Sequence, residues 1–465
     1  MTDFDCDVLV VGAGISGLTA AFRLNECGFR VIVIEAAAHT GGVIRTVRDG
    51  DALYERGPNS ILETSPHIAE LIDRLGIRAQ RIDTNPVSAR RFVVREGRLV
   101  ALPTSLRAFV RTPLFSTRAK LRLLREPFMP RAPLEPEESV ADFVVRRLGP
   151  EFLDYAVEPF VAGIYAGDPR QLSVAAAFPK LHALEQRYGS LIRGQILGAR
   201  ERGRKSEKAR TVAKSFSFLH GLQTLTDALA THAGTVRTDT RAIGLRRASQ
   251  PGIVATIQQQ HATSELVARA VMLAVPADET ARLVQPFAPA SASALSAIPY
   301  APVASVASVY RRSDVAHPLD GFGFLAPRVE QRRILGTLFS SSMFDGRAAP
   351  DKVLLTTFVG GQRNPSLPLL PEADVLQLVN EELEELLGAR NPASVTVTRW
   401  PRAIPQYTIG HLERVQGAMK VENAVPGLYL CASWRGGVAV GDCIASGWAM
   451  AATIKTFLGS LRSGP

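Results

Sequence analysis

A glycine-rich turn near the N-terminus constrains the fold of this chain more than any other feature. It follows a short apolar run at residues 8–11, which is typical of a buried parallel strand. A helical pattern over residues 18–26 and a second apolar strand over residues 29–34 come next, and the strand ends at Glu35. This order predicts a βαβ unit of a doubly wound α/β fold. The turn itself consists of Gly12, Ala13, Gly14, Ile15, Ser16 and Gly17.

The turn has the residues that a phosphate-binding turn requires. Gly12 permits the tight bend, Gly14 lets the backbone approach a pyrophosphate, and Gly17 lets the helix lie close to the strand. The helix N-terminus offers N–H groups and the positive end of its dipole to phosphate oxygens. Glu35 can accept hydrogen bonds from a ribose 2′-hydroxyl, and we assign the adjacent Ala36 to the same site. A tight turn without a ligand is the alternative, but the complete pattern favours a dinucleotide.

A second glycine pair indicates which dinucleotide this is. Gly41 and Gly42 follow Glu35 within ten residues, and Arg45 adds a positive charge. A flavin dinucleotide is long and needs more than one turn to hold it, so this extension favours FAD over a nicotinamide cofactor. We find no Cys or His pattern that would tether a flavin, and therefore expect noncovalent FAD.

The composition limits the remaining function classes. Apolar residues make up 46% of the 465 residues, which excludes a disordered chain. Lys and Arg number 54 against 44 Asp and Glu, and the resulting charge of +10 suits an anionic partner. The four cysteines form no CxxC pair and the eight histidines are scattered, so we predict no metal site. The sequence contains no run of 18 uncharged apolar residues, so we predict no transmembrane helix. The N-terminus is acidic, so we predict no secretory signal.

The glycines of both turns, Glu35 and Arg45 together resemble the flavin-containing amine oxidase superfamily. Further segments along nearly the whole chain are similar to its protoporphyrinogen oxidase branch. They are residues 57–60, 162–168, 216–223, 321–325, 400–407 with Gly410 and His411, and 436–443. The resemblance implies an α/β, amine-oxidase-like architecture. It consists of a discontinuous Rossmann-like FAD-binding domain, a mixed-sheet substrate domain and a helical insertion.

The predicted domains are interleaved along the chain. Within them, we expect helices over residues 215–230 and 442–453. The predicted divisions are 1–85, 215–280 and 399–465 for the FAD-binding domain, 86–100 and 281–398 for the substrate domain, and 101–214 for the helical insertion.

The resemblance also implies a reaction. A member of this branch removes six electrons from protoporphyrinogen IX to give protoporphyrin IX in haem biosynthesis, and reduces three O2 to H2O2. Flavin N5 would accept the hydride, and no side chain is predicted as a catalytic base. Oxidation of coproporphyrinogen III by the same chemistry is one alternative, and a non-catalytic tetrapyrrole carrier is another. A nucleic-acid partner is not predicted.

Site residues follow from the same resemblance. Arg91 is expected to bind a substrate propionate, because a guanidinium matches a carboxylate in a bidentate way, although the adjacent Arg90 is an alternative. Apolar pocket walls are assigned to Phe322, Gly323, Leu325, Leu338 and Phe358, which could otherwise be ordinary core. Additional FAD contacts are assigned to Gly57, Pro58, Asn59, Ser60, Val236, Trp400, Val438, Ala439 and Val440.

The segment from residue 98 to residue 214 carries much of the basic excess. Apolar residues stand between its arginines, and this mixture suits a peripheral anionic membrane surface. A soluble basic surface or a protein partner, such as a ferrochelatase-type enzyme, is the alternative. We expect a cytoplasmic protein that binds peripherally to the inner face of the cell membrane. The apolar residues concerned are Leu106, Phe109, Val110, Leu114 and Phe115.

Overall fold

The computed structural model of the chain describes residues 4–133, 135–202, 214–249 and 251–462. Residues 203–213 of the predicted insertion therefore lie outside the described residues. The strands are β1 (Cys6–Val11), β2 (Val31–Ile34), β3 (Thr46–Asp49), β4 (Ala52–Glu55), β5 (Ile61–Leu62), β6 (Arg81–Asp83), β7 (Phe92–Arg95), β8 (Arg98–Ala101), β9 (Ser215–Phe218), β10 (Thr235–Arg237), β11 (Thr240–Arg247), β12 (Ile253–Gln259), β13 (Ala262–Leu273), β14 (Tyr300–Arg311), β15 (Gly323–Leu325), β16 (Ile334–Leu338), β17 (Lys352–Gly360), β18 (Ser394–Pro405) and β19 (Leu428–Leu430).

Helices fill the intervals between these strands. Short 3₁₀ turns occur at Arg78–Gln80, Pro86–Ala89, Glu126–Phe128, Arg312–Asp314, Arg328–Glu330 and Leu367–Leu369, and Leu153–Val157 is a π-helical turn. The α-helices are α1 (Ile15–Glu26), α2 (Pro66–Arg74), α3 (Leu106–Arg111), α4 (Thr117–Leu123), α5 (Val140–Arg147), α6 (Pro150–Phe152), α7 (Glu158–Tyr165), α8 (Val174–Ala177), α9 (Pro179–Tyr188), α10 (Leu191–Arg202), α11 (Gln223–His232), α12 (Ala277–Val284), α13 (Pro289–Ser296), α14 (Ser340–Met343), α15 (Glu372–Leu387), α16 (His411–Ala424), α17 (Ser433–Gly436) and α18 (Val440–Arg462).

The first sheet has the strand order β10-β2-β1-β13-β12-β11, with β19 beside β13. Its strands β10, β2, β1, β13 and β19 run parallel, whereas β11 and β12 pair antiparallel. Every residue of β1 and β2 is buried, as expected for parallel strands with helices on both faces. The helices α1 and α18 pack closely. A Cβ at Gly447 of α18 would lie only 2.4 Å from the Ser16 carbonyl oxygen of α1. This sheet therefore joins three distant parts of the chain.

The second sheet has the order β18-β14-β17-β16-β15-β7-β8. It is antiparallel except for the β15–β7 pair. Two smaller sheets, β3-β4 and β5-β9-β6, complete the described strands. The predicted domain boundary at residue 399 falls inside β18, and the boundary at 280 falls inside α12. The division into domains stays a prediction.

Five predicted elements have different bounds in the structure. The first strand begins at Cys6 rather than at residue 8, and the first helix begins at Ile15 rather than at residue 18. The expected helix over 215–230 was wrong at its start: Ser215–Phe218 is a strand, because its phenylalanines and serines alternate with the period of two that suits a sheet. Gly221, at φ 89°, then turns the chain into α11. The second strand of the βαβ unit begins at Val31 rather than at residue 29, and the closing helix spans Val440–Arg462 rather than 442–453.

The helical segment between β8 and β9 has its own core, and three residues predicted for a membrane surface pack in it: Leu114, Phe115 and the half-buried Phe109. Leu114 and Phe115 are buried, and the Phe115 ring stacks on Phe152 with 4.3 Å between ring centroids. Leu106 and Val110, by contrast, are 80% and 64% exposed. No helix in the described ranges is long and apolar enough to cross a membrane.

Candidate functional site: a dinucleotide cradle beside an apolar sheet face

The turn between β1 and α1 has a backbone that only glycine permits at two positions. Gly12 has φ 105°, a conformation that L side chains rarely adopt. A Cβ at Gly17 would lie 2.1 Å from the Gly12 carbonyl oxygen. Gly14 is the N-cap of α1 and supplies no side chain, and the first turn of α1 contains no acidic residue. No side chain of the cap or of the first turn of α1 therefore competes for the N–H groups at its N-terminus.

Glu35 follows β2 directly and lies beside this turn, on the side of the first sheet. Its carboxylate accepts hydrogen bonds from the backbone N–H of Ala13 at 2.8 Å and of Ala37 at 2.9 Å. Its own N–H donates to the Arg237 carbonyl at 2.9 Å, and Val236 pairs with β2 beside it. Glu35 is half-buried and Ala36 is exposed. The structure therefore brings Glu35 and Val236 to one edge of the turn.

The second glycine pair lies against the first turn. The Gly41 N–H donates to the Ala13 carbonyl at 2.8 Å, and a Cβ at Gly42 would lie 3.3 Å from the Gly14 Cα. Arg45 is half-buried and forms no ion pair with any described residue. The Nδ1 atom of His39 is also buried, with no hydrogen-bond partner in the described part of the chain. Beside the two glycine turns there are thus a cation without an ion-pair partner, Arg45, and a buried nitrogen without a hydrogen bond, His39 Nδ1. Both fit an anionic dinucleotide.

Residues 57–60 and Trp400 continue this arrangement toward the second sheet. A Cβ at Gly57 would lie 2.0 Å from the Val43 carbonyl oxygen, so this segment lies directly against the second glycine loop. The Asn59 amide donates to the Gly57 carbonyl at 3.1 Å, and Pro58 and Ser60 are half-buried in the same segment. Trp400 joins it from β18, because its Nε1–H donates to the Arg56 carbonyl at 2.8 Å.

The C-terminal part of the chain returns to α1 through residues 433–440, which we call the C-terminal return. Its last three residues are Val438, Ala439 and Val440. Val440 begins α18 and packs against the core beneath α1, whereas Val438 packs against the core of the helical insertion. Ala439 is exposed. This return thus lies between the first sheet and the insertion.

Leu325, Leu338 and Phe358 form an apolar row across the second sheet. Leu338 is opposite Gly323, while Leu325 and Phe358 are both opposite Gly336. The alternation of side chains along a strand places these residues on one face. All three are half-buried, whereas Phe324, Thr337 and Thr357 between them are buried.

Helix α7 of the insertion lies against part of this row. A Cβ at Gly163 would lie 3.1 Å from Cδ2 of Leu325, and Phe358 packs against the buried cluster that contains Ala162 and Ala166. Small residues on α7 therefore leave the apolar row close beneath the helix.

Arg90 and Arg91 differ in their partners. Arg90 forms an ion pair with Asp320. Arg91 is exposed, has no carboxylate partner among the described residues, and lies with its guanidinium carbon 5.1 Å from the centroid of the Phe322 ring. Arg91 is the member of the pair that can meet an external carboxylate.

Two buried polar residues near this site, Glu55 and Tyr407, were not predicted from the sequence. Glu55 accepts hydrogen bonds from the Thr46 hydroxyl at 2.7 Å and the Leu222 N–H at 2.8 Å, and burial raises its pKa to about 7. Tyr407 lies within the segment 400–407 but received no role. An acidic residue in the otherwise apolar strand β4 was the available signal for Glu55.

Known proteins show where this arrangement belongs. The family model for flavin-containing amine oxidoreductases matches residues 15–455. The mitochondrial protoporphyrinogen oxidase of Nicotiana tabacum is 33% identical, over 98% of this chain and 96% of its own length. The coproporphyrinogen III oxidase of Bacillus subtilis is 28% identical, over 98% and 100% of the two chains.

Solved structures agree with this assignment. A crystal structure from Exiguobacterium sp. 255-15, provisionally named protoporphyrinogen oxidase, superposes with a TM-score of 0.81 at 25% identity. The superposition covers 97% of this chain and 98% of the other. The predicted α/β, amine-oxidase-like fold class and the FAD cofactor are thereby confirmed. The chain belongs to the flavin-containing amine oxidoreductase family and is an FAD-dependent oxidoreductase.

Proposed function

We propose that this enzyme oxidises protoporphyrinogen IX to protoporphyrin IX. The observation that carries this proposal is the near-full-length similarity to the tobacco protoporphyrinogen oxidase. Six hydrogen atoms leave the macrocycle, and three O2 accept them as three H2O2. FAD, when bound, supplies the two-electron acceptor that couples these half-reactions.

The cofactor role falls mainly on backbone groups of the chain. The first turn and the N-terminus of α1 would hold the pyrophosphate, with Arg45 adding charge, and Glu35 would hold the ribose. Segment 57–60 and Trp400 would approach the flavin ring from the side of the second sheet, and residues 438–440 would approach it from between the first sheet and the insertion.

The substrate role falls on the apolar row and its rim. A porphyrinogen is large and mostly apolar, so Leu325, Leu338 and Phe358 under α7 suit its ring. Arg91 would bind a propionate, and Phe322 would keep the guanidinium in place. Gly323 would let the macrocycle lie close to β15. No side chain is assigned as a catalytic base.

Coproporphyrinogen III is a second candidate substrate, favoured by the similarity to the Bacillus subtilis coproporphyrinogen III oxidase. It carries four propionates rather than two and therefore requires more cations at the rim. Of the two adjacent arginines, Arg90 pairs with Asp320 and only Arg91 has no carboxylate partner among the described residues, which favours the substrate with fewer propionates, protoporphyrinogen.

Initial rates of porphyrin fluorescence with the two porphyrinogens test the proposal. We expect the purified protein to be yellow, to bleach when porphyrinogen is added without oxygen, and to be faster with protoporphyrinogen IX. A faster rate with coproporphyrinogen III would favour the second candidate. A protein that binds tetrapyrrole without bleaching would be a carrier.

We also propose that the exposed face of α3 and α4 meets an anionic membrane surface. Leu106, Val110, Leu121 and Phe128 are 80%, 64%, 60% and 81% exposed on this segment. Arginines such as Arg107 stand between them, and such a mixture suits a peripheral site. The protein should then float with anionic vesicles at low salt and be released at high salt. Failure to float with anionic vesicles would exclude the membrane role and leave the alternatives of a soluble basic surface or a protein partner, such as a ferrochelatase-type enzyme.

A further inference from the structure

Tyr407 lies at the junction of the insertion, the second sheet and the C-terminal return. It is 4% exposed and its ring stacks on His411, with 4.1 Å between centroids and 14° between planes. Burial raises the pKa of the Tyr407 hydroxyl well above its ordinary value, so this group stays protonated. A buried hydroxyl requires hydrogen-bond partners.

Both partners of the hydroxyl belong to one turn. The Tyr407 hydroxyl donates to the Ser433 carbonyl and accepts from the Gly437 N–H at 2.9 Å. His411 holds the same turn from beside it, because its Nε2 donates to the Trp434 carbonyl at 2.9 Å. Gly437 has φ 116°, and a Cβ there would lie 2.6 Å from the Cβ of Asp442. The turn thus has a fixed, unusual backbone immediately before residues 438–440.

The backbone of Tyr407 is bound to the helical insertion. The Ser173 N–H donates to the Tyr407 carbonyl at 2.9 Å, and the Ile409 N–H donates to the Gln171 carbonyl at 3.0 Å. The main chain of Tyr407 therefore binds the insertion, and its hydroxyl binds the C-terminal return.

We propose that Tyr407 is a positioning residue for FAD, which sets the backbone of residues 437–440 through its hydroxyl and ties that backbone to the insertion. The proposal rests on the cofactor contacts that we assign to Val438, Ala439 and Val440. It gives Tyr407 no contact with the reacting atoms.

The test compares Tyr407→Phe with Tyr165→Phe. Tyr165 is 5% exposed in the same aromatic cluster, and its hydroxyl donates to the Ala177 carbonyl of α8 at 2.9 Å. Each variant loses one buried hydroxyl, so a general loss of stability affects both. For each, we would measure the FAD dissociation constant of the apoprotein, the visible flavin spectrum and the Tm.

We expect Tyr407→Phe to raise the FAD dissociation constant about tenfold and to shift the flavin absorbance bands. Tyr165→Phe should lower the Tm while both flavin readouts stay at their wild-type values. Wild-type flavin readouts in Tyr407→Phe, or equal changes in both variants, would overturn the proposal.

A second variant covers the case in which Tyr407→Phe does not fold. His411→Phe keeps a ring beside Tyr407 and removes only the Nε2 hydrogen bond to the turn. The proposal then requires a rise of about threefold in the FAD dissociation constant, and an unchanged constant would contradict it. None of these readouts uses a porphyrinogen. If the wild-type protein oxidised no porphyrinogen, the proposed function would fail and the role of Tyr407 would still be decided.

Discussion

In the cofactor cradle, which we define as residues 12–17, 41–45 and 57–60, main chain lies against main chain. In the helices of the insertion, residues 106–202, buried ion pairs join the helices in addition to the apolar core. Arg147 is 1% exposed and forms ion pairs with Glu126 and Glu185, which are 0% and 1% exposed. Glu126 also accepts hydrogen bonds from the Leu191 and Ile192 N–H groups at the start of α10.

The two regions differ in what a substitution removes. At four cradle glycines an added Cβ collides with a carbonyl oxygen, so the backbone path itself fails; they are Gly12, Gly17, Gly41 and Gly57. In the insertion, a removed partner leaves a buried charge without compensation, whereas the backbone path remains possible. We therefore expect the cradle to be sensitive to added atoms and the insertion to removed charges.

The largest effect is expected in the cradle. Gly17→Ala places a Cβ 2.1 Å from the Gly12 carbonyl oxygen and should abolish FAD retention and folding of the first sheet. Gly14→Ala is the matched comparison, because its Cβ would meet no protein atom within 4 Å. It should leave the Tm of the apoprotein unchanged and still weaken FAD binding. FAD bound equally well by Gly14→Ala would place the pyrophosphate elsewhere.

Arg147→Ala should have the next largest effect. It leaves Glu126 buried without a cation and leaves Glu185 with Arg146 alone, which costs about 3–5 kcal/mol of unfolding free energy. Urea denaturation would measure the loss. Arg118→Ala, an exposed arginine of the same insertion, is the control and should change stability by less than about 0.5 kcal/mol. Equal losses in both variants would contradict the contrast between the two regions.

Glu55, which supports the second glycine loop through Thr46, should make stability depend on pH. Its pKa is about 7 in the folded protein, against 4.5 for the free side chain, so the folded state binds more protons between these values. Stability should therefore fall as pH rises from 4.5 to 7, by about 3 kcal/mol. A glutamine at position 55 cannot ionise, so the Tm of Glu55→Gln should fall less steeply between pH 4.5 and 7 than the Tm of the wild-type protein. Equal slopes in the two proteins would exclude the Glu55 carboxyl as the cause of the pH dependence.

The smallest effect is expected for Arg90 and Arg91 at the rim of the proposed substrate site. There the ion-pair partner of each arginine decides how much its removal changes substrate binding. Arg91→Ala should raise KM about tenfold with little change in kcat, because a propionate contact is felt equally in the ground and transition states. Arg90→Ala should leave KM near its wild-type value, since Asp320 already pairs with Arg90. The opposite pattern in steady-state kinetics would move the propionate contact by one position.

The strand ending at Val11, its glycine turn and Glu35 were predictable because each depends on neighbours in sequence and on steric rules that glycine alone satisfies. The strand at Ser215–Phe218 was not, since the helical expectation covered a segment whose serines and phenylalanines also fit a sheet. Pairing with β5 and β6 decided between them. Leu114 and Phe115 were misplaced for the same reason: their burial depends on Phe152, which is distant in sequence.

The sequence alone determined the βαβ unit, the anionic dinucleotide site and the family, because glycine positions and strand patterns are local and leave few conformations open. Only the tertiary structure distinguished Arg91 from Arg90, buried Glu55 beside Thr46, and joined Tyr407 to a turn 30 residues later in the chain. These features depend on which distant groups meet, and the free energy of a buried charge or hydroxyl is set by those partners rather than by its own position in the chain.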